Sequence, residues 1–198
     1  VVPSVKLAKR VQEKGADALV IEGFEAGGHD GMQTTMALMT NVIPEIDIPI
    51  IVAGSIVDGR GMAAALLMGA DGVQMGSRFL LAEECQVHQN SKDAIIAATD
   101  TDSVITGFTR NNNVRGLRSA FTDEYLRLER EGAADEVLTS LSRGTNRRAA
   151  VDGDTVNGVV QVGQGLNRLT KIQPAKEIVD EIIHEMTERL QNAPQLLK

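Results

Sequence analysis

Short apolar runs alternate with longer amphipathic segments along the first part of the chain. The runs at 18–21, 50–53 and 72–75 have the length and composition of buried β-strands. Between them, apolar positions recur at the spacing of one helix face. We predict strands near 1–2 and at 18–21, 50–53 and 72–75, and helices at 5–14, 35–46 and 61–68. This alternation of strand and helix indicates an α/β protein with a parallel sheet.

After Arg78 the pattern becomes more polar and then mainly helical. We predict a helix near 92–98, a strand at 103–106 that an arginine-rich loop follows, and helices at 122–131, 135–141 and 175–190. The strand at 103–106 would be the last strand of the sheet, and from residue 120 onward the chain is expected to be helical.

Glycines follow three of the predicted strands, at the chain positions where α/β proteins keep their binding loops. The run 22–31 contains Gly27, Gly28 and His29, and the next two strands end in Gly54-Ser55 and Gly76-Ser77. Because glycine has no Cβ, backbone N–H groups in such loops can approach a ligand closely. We expect these loops to form a phosphate site, with the Ser77 hydroxyl as a further donor. The competing interpretation is that these glycines only form tight turns.

His29 is the candidate catalytic residue, because imidazole can accept or donate a proton near neutral pH. Glu22 and Glu25 flank it and could orient the imidazole or contact a ligand, although Glu25 could equally cap a helix N-terminus. A plain surface histidine is the alternative for His29. There is no GxGxxG that opens a helix and no GxxxxGK[ST], so neither a Rossmann dinucleotide site nor a P-loop is indicated.

Composition and charge narrow the class of protein. The 198 residues are 42% hydrophobic, enough for one sizeable core, and the net charge of −7 argues against nucleic acid as a partner. The single cysteine, Cys85, excludes an internal disulfide framework, and no clustered ligands predict a metal site. Apolar stretches are too short for a membrane span, and no leader pattern opens the sequence. We expect a soluble cytoplasmic protein that contacts no membrane.

Several segments together carry a family resemblance. They are Gly15-Ala16-Asp17-Ala18, Glu22-Gly23, Glu25-Ala26-Gly27-Gly28-His29, Thr34-Thr35, Ile50 to Ile56, Gly69 to Phe79, and Gly163-Gln164. On these segments the chain resembles the FMN-dependent family of nitronate monooxygenases and type II enoyl-acyl-carrier-protein reductases. The segments 84–90 and 151–158 make it more similar to the enoyl reductases. Two positions depart from the usual pattern: Ser55 replaces a second glycine, and Gln161-Val162-Gly163-Gln164 replaces Met-Ala-Gly-Gln.

The resemblance implies a TIM (β/α)8 barrel fold. Because about five strands are predicted where a closed barrel needs eight, we expect the chain to be the carboxyl-terminal portion of such a barrel, with added C-terminal helices. Residues 1–110 would belong to the FMN-binding barrel and residues 111–198 to a helical extension packed on it. The remaining strands would lie in a longer protein or on another chain.

The resemblance also implies site residues and a reaction. His29 would be catalytic; the FMN-binding residues would be Glu22, Gly28, Gly54, Ser55, Gly76, Ser77 and Gln164. The implied reaction is the reduction of trans-2-enoyl thioesters, bound to acyl carrier protein or to coenzyme A, with FMN as cofactor and NADH or NADPH as electron donor. Nitronate monooxygenase activity is the alternative, and an assembly module without catalysis is a third interpretation.

The expected partners follow from the same resemblance. A homodimer is expected. An acidic carrier protein would need a local basic patch, for which there are two candidates: Arg110 with Arg115 and Arg118, and Arg143 with Arg147 and Arg148. For both clusters, a solvated helix face is the competing interpretation.

Overall fold

The computed structural model describes residues 1–197. Strands and helices alternate at first and helices dominate later, as the apolar pattern predicts. In chain order the elements are α1 (Val5–Glu13), β1 (Leu19–Glu22), β2 (Gly28–His29), α2 (Thr35–Val42), β3 (Ile50–Ala53), α3 (Gly59–Leu67), β4 (Gly72–Gln74), α4 (Ser77–Leu80), α5 (Gln89–Ala97), β5 (Ser103–Thr106), β6 (Val114–Leu117), α6 (Ala120–Arg130), α7 (Asp135–Ser142), α8 (Thr145–Ala150) and α9 (Ala175–Asn192).

A parallel sheet of three strands, in the order β1-β3-β4, forms the first layer of the fold. Leu19 pairs with Ile50, and Ile51 pairs with Gly72, so the three strands end at the same edge. Val2 adds an isolated parallel bridge to Ile21 where a strand near 1–2 is predicted. These pairings confirm the α/β class. Within residues 1–197 the sheet does not close into a barrel.

A second, antiparallel sheet in the order β2-β6-β5 differs from the sequence prediction. The predicted strand at 103–106 exists, but it pairs with β6 instead of joining the parallel sheet. Neither β2 nor β6 is predicted, because β2 has only two residues and β6 carries Arg115 and Gly116 in place of alternating apolar residues. β6 also lies in the segment 111–198 that is predicted to be helical, directly after the expected boundary at residue 110.

Local sequence explains where several helices begin and end. Asp58 caps α3 by accepting a hydrogen bond from the Gly61 N–H at 3.0 Å, and Ser119 begins α6 with a capping box. The helix predicted at 35–46 ends earlier, at Val42, and continues as a 3₁₀ turn that contains Pro44. Proline lacks the N–H that would continue the α-helical bonding, which accounts for the change.

Two apolar cores flank the loops that follow the parallel strands. One contains Ile21 and Val52 of the sheet with Leu38 of α2, all fully buried. The other contains Leu81, Ile95 and Val162. The segment that includes Val162 therefore lies against the strand ends. Within residues 1–197, no helix has both the length and the apolar character that a bilayer crossing requires.

Candidate active site

A cleft lies at the carboxyl-terminal edge of the parallel sheet, where β1, β3 and β4 end. We call it the glycine cleft; its lining residues are Glu22, Ala26, Gly27, Ala53, Gly54, Ser55, Ile56, Val57, Gln74, Gly76, Ser77, Leu80, Gln161 and Gly163. It encloses about 200 Å³. Small-molecule sites are typically about 300–1,000 Å³, so this cleft has room for part of a cofactor such as a phosphate and its neighbouring atoms.

Four backbone N–H groups of the glycine cleft are free to bind an anion. Those of Gly54, Ser55, Gly76 and Ser77 donate to no acceptor within residues 1–197. Unpaired N–H groups on neighbouring loops form the concave donor arrays that bind phosphate in many proteins. This arrangement fits the phosphate of FMN, and it is the feature that the two Gly-Ser pairs predict from the sequence.

Positions 54 and 76 are glycine for different structural reasons. Gly54 has φ of +123°, and a Cβ there would lie 2.3 Å from Thr35 Oγ1, so the chain itself requires glycine. At Gly76 an added Cβ would meet no atom of the protein within 4 Å. Gly76 therefore leaves an open space beside free N–H donors, which is the space that a bound phosphate would occupy.

The two serines hold the loops in place through their hydroxyl groups. Ser55, in the left-handed region with φ of +50°, donates to the Glu25 carbonyl at 2.9 Å and accepts from the Gln164 N–H at 2.7 Å. Ser77 Oγ accepts from the Gly163 N–H at 2.9 Å. The Ser77 proton remains available to a ligand, whereas the Ser55 proton is already used, so only Ser77 can act as the predicted hydroxyl donor.

Glu22 and Glu25 have different environments. Glu22 ends β1 and lines the glycine cleft, and burial raises the pKa of its carboxyl above the usual range. Glu25 accepts hydrogen bonds from both the N–H and the hydroxyl of Thr35, each at 2.7 Å, at the first residue of α2. Glu25 thus stabilises a helix N-terminus, as the alternative interpretation of its sequence position proposes.

His29 lies on β2 with an exposed side chain, outside the glycine cleft. It borders a second cleft, here the histidine cleft, lined by His29, Thr106, Asn112, Val114, Phe121, Tyr125, Ser142, Gly144, Thr145, Asn146, Val159 and Gln161. Its neighbour Gly28 is buried, with φ of +89°. The strand pairing of β2 with β6 fixes the position of His29, which the sequence places only in a loop.

Gln161 belongs to both clefts, and the sequence gives no reason to select it beyond its replacement of the usual methionine. The predicted cofactor residue Gln164 lines neither cleft: its side chain is exposed, and its N–H donates to Ser55 Oγ and to the Glu25 carbonyl. The structure therefore brings Glu22, Gly54, Ser55, Gly76 and Ser77 together, and Gln161 connects them to the histidine cleft.

A buried ion pair lies behind β2, and sequence reasoning did not identify it. The Asp30 side chain is fully buried, 3.7 Å from Arg115 Nε, and neither carboxylate oxygen makes a hydrogen bond with residues 1–197. Burial raises the pKa of Asp30 to about 6; nearby Glu22 raises it and Arg115 lowers it. Arg115 donates to the Phe24 carbonyl through Nε and Nη2, at 3.2 and 3.0 Å, which ties β6 to the loop after β1.

The first predicted basic patch is wrong because its members are already engaged. Arg115 is 2% exposed, Arg110 pairs with Asp135 at 2.7 Å, and Arg118 pairs with Asp123 at 2.7 Å. The second cluster, Arg143, Arg147 and Arg148, is exposed, and none of the three forms an ion pair in the part of the chain that the structure describes. Residues beside this cluster, including Gly144 and Asn146, line the histidine cleft.

Comparison with known proteins identifies the class that this geometry represents. The family model for nitronate monooxygenase matches residues 1–185, and the chain belongs to that family of FMN-dependent oxidoreductases. A probable nitronate monooxygenase of Staphylococcus aureus (strain MSSA476) is 33% identical, over 95% of this chain and 56% of the relative. The chain thus spans little more than half the length of such curated relatives.

Solved structures of two related proteins have the same fold. FabK from Thermotoga maritima superposes with a TM-score of 0.94 at 39% identity, over 98% of this chain and 62% of FabK. Nitroalkane oxidase from Streptomyces ansochromogenes superposes with a TM-score of 0.80 at 27% identity, over 97% of this chain and 58% of the oxidase.

Proposed function

We propose that this chain provides the FMN phosphate site and the catalytic histidine of an oxidoreductase with a (β/α)8 barrel fold. The observation that carries the proposal is the set of four free N–H groups at Gly54, Ser55, Gly76 and Ser77, beside open space at Gly76. Preformed donors at the ends of adjacent parallel strands are suited to a dianionic phosphate. Ser77 would add its hydroxyl proton.

The other predicted cofactor residues have supporting roles in this proposal. Glu22 would contact the cofactor from the wall of the glycine cleft, and Gly28, with φ of +89°, would contribute through its backbone conformation beside Gln161. Gln164 would act through its backbone, which fixes the Ser55 loop. When bound, FMN would supply the hydride chemistry that links a reduced nicotinamide to an acceptor carbon.

His29 would handle the proton of the reaction. Its imidazole is exposed in the histidine cleft, and Gln161 borders both this cleft and the glycine cleft. A substrate held between the clefts would present its reacting carbon to both sites. In enoyl reduction, the imidazole would donate a proton to the α-carbon of the thioester as the β-carbon is reduced.

Enoyl thioester reduction is the activity that we favour. The type II enoyl reductase FabK is 39% identical with a TM-score of 0.94, against 27% and 0.80 for nitroalkane oxidase. The test is anaerobic mixing of the flavin-loaded protein with NADH or NADPH and then with an enoyl thioester. We expect the nicotinamide to bleach the flavin absorbance and the thioester to restore it. Absence of bleaching with both nicotinamides would exclude this activity.

Nitronate oxidation is the second candidate, because the family model and the curated Staphylococcus aureus relative both carry that name. His29 would then serve as the base that removes a proton from a neutral nitroalkane. Under this alternative, His29→Ala should abolish turnover of the nitroalkane and spare its pre-ionised nitronate, without any nicotinamide. Nicotinamide dependence therefore separates the two candidates.

We propose that the exposed cluster of Arg143, Arg147 and Arg148 receives an acidic carrier protein next to the histidine cleft. Complementary charge at an interface rim mainly increases the association rate. We expect Arg147→Glu to lower kcat/KM for a carrier-bound thioester about tenfold at low salt and to leave the coenzyme A thioester nearly unchanged. The matched control is Lys6→Glu, at an exposed position of α1. Equal effects of both variants on kcat/KM for the carrier-bound thioester would contradict this docking site.

A further inference from the structure

A third cavity adjoins both clefts, and no proposed role accounts for it. We call it the apolar cavity; it lies between α4, α5, α8 and the segment 159–161. Six of its lining residues are apolar, namely Leu80, Val87, Ile95, Ala150, Val159 and Val160, and three are polar, namely Ser91, Asn146 and Gln161. It encloses about 210 Å³.

Three polar groups in the wall of the apolar cavity, away from the side chains of Asn146 and Gln161, are already hydrogen-bonded. Ser91 Oγ donates to the Ala149 carbonyl at 2.7 Å. The Val160 carbonyl accepts from the Leu117 N–H at 2.9 Å, and the Val159 N–H donates to the Thr145 carbonyl at 3.1 Å. A polar ligand would lose its water here without equivalent bonds in return, so the cavity favours an apolar occupant.

The polar residues Asn146 and Gln161 mark the mouth of the cavity. Both also line the histidine cleft, and Gln161 with Leu80 also lines the glycine cleft. Asn146 is exposed, whereas Ile95 is fully buried. The cavity therefore shares Asn146 and Gln161 with the histidine cleft, which His29 also lines, and its fully buried end at Ile95 is apolar.

We propose that the apolar cavity binds the straight alkyl chain of the substrate, which passes Gln161 while its reacting carbons remain beside His29. This inference rests on the proposed function, since it concerns the substrate of the same site. Scaling from a cavity of about 150 Å³ that holds the six carbons of benzene, the apolar cavity would hold about six to eight carbons. Both candidate reactions have substrates with alkyl chains, so the cavity would set chain-length preference in either.

The test is equilibrium binding of saturated thioesters, which do not react, to the flavin-loaded protein. Titration calorimetry would give Kd for straight chains from four to fourteen carbons. We expect Kd to fall about fourfold per added methylene up to about eight carbons and then to level off. A Kd that is independent of chain length would overturn the proposal.

A cavity-filling variant tests whether the chain-length dependence of Kd arises in the apolar cavity. Val87 is half-buried in the loop before α5. In Val87→Phe, Kd should stop falling at a levelling point of about six carbons in place of about eight. Val151→Phe, at a residue that is 56% exposed and outside the cavity lining, is the matched control and should leave the point unchanged. An unchanged levelling point in a folded Val87→Phe protein would contradict the proposal.

Two further readouts keep the outcomes distinct. If Val87→Phe does not fold, as judged by circular dichroism, Ala150→Leu, at another lining residue of the apolar cavity, replaces it. If the chain-length dependence is present and the flavin is not bleached by nicotinamide, enoyl reduction fails and the alkyl site stands. If turnover occurs and the chain-length dependence is absent, the alkyl site fails and the proposed function stands.

Discussion

Gly54 and Gly76 occupy equivalent positions after neighbouring strands, but only one is required by the fold. We expect Gly54→Ala to destabilise the protein by about 2–4 kcal/mol, because a Cβ would meet Thr35 Oγ1 at 2.3 Å on a backbone with φ of +123°. Gly76→Ala should change stability by less than about 0.5 kcal/mol. Urea denaturation of both variants, followed by circular dichroism, measures the difference. Equal losses would show that both glycines serve the fold.

The buried Asp30 predicts an unusual pH dependence of stability. Burial raises its pKa from 3.8 to about 6, so the folded protein retains a proton that the unfolded chain releases between those values. Stability should therefore fall as pH rises through this window and stay lower above it, by about 3 kcal/mol at most.

Replacement of the titrating group tests this dependence. Asp30→Asn should be more stable than the parent at pH 7.5 and nearly equal to it at pH 4, measured by urea denaturation at each pH. Asp17→Asn, at an exposed position, is the control for a general change in charge. A parent-minus-variant difference that does not change with pH would contradict the burial of an ionised Asp30.

At the scale of elements, α9 is held by one face, which packs closely on α3. It packs on α3 so closely that a Cβ at Gly59 would lie 2.4 Å from the Ile182 carbonyl oxygen. Ile178 is fully buried on this face, and its neighbour Val179 is 45% exposed. The helix was predictable from its apolar periodicity, but its partner was not.

Adjacent residues of α9 provide a matched pair. Ile178→Ala should cost about 2–4 kcal/mol of unfolding free energy, since it leaves a cavity in the cluster that includes Met62 of α3 and Phe79 of α4. Val179→Ala should cost less than about 0.5 kcal/mol, because the position is exposed and alanine favours helix. Thermal or urea denaturation gives both values. A small effect of Ile178→Ala would place the packing face of α9 elsewhere.

The parallel strands and the longer helices could be predicted because their apolar periodicity is local, whereas the short helices α4 and α8 were not predicted. The antiparallel sheet could not: Arg115 and Gly116 look like loop residues, and Arg115 is buried only because the Phe24 carbonyl and Asp30 lie beside it. The same long-range pairing places His29 on a strand. The Gly-Ser loops were found because close backbone approach leaves glycine in the sequence, whereas a lining residue such as Gln161 carries no such signal.

At the scale of the whole molecule, three cavities meet at Gln161 between the two sheets. The glycine cleft supplies anion donors, the histidine cleft supplies an imidazole, and the apolar cavity supplies an uncharged wall. The free N–H groups of the glycine cleft are central to the proposed reaction, since they would fix where the flavin lies relative to His29.

Flavin fluorescence titration with FMN and with riboflavin, which lacks the phosphate, measures directly how much the phosphate site contributes to flavin binding. The four N–H groups should make the parent bind FMN at least about 100-fold more tightly than riboflavin. Gly76→Val fills the open space and should reduce that ratio to below about tenfold, while Gly72→Val, at the other end of β4, should preserve it. Equal affinity of the parent for FMN and riboflavin, or a ratio unaffected by Gly76→Val, would contradict the phosphate site at the glycine cleft.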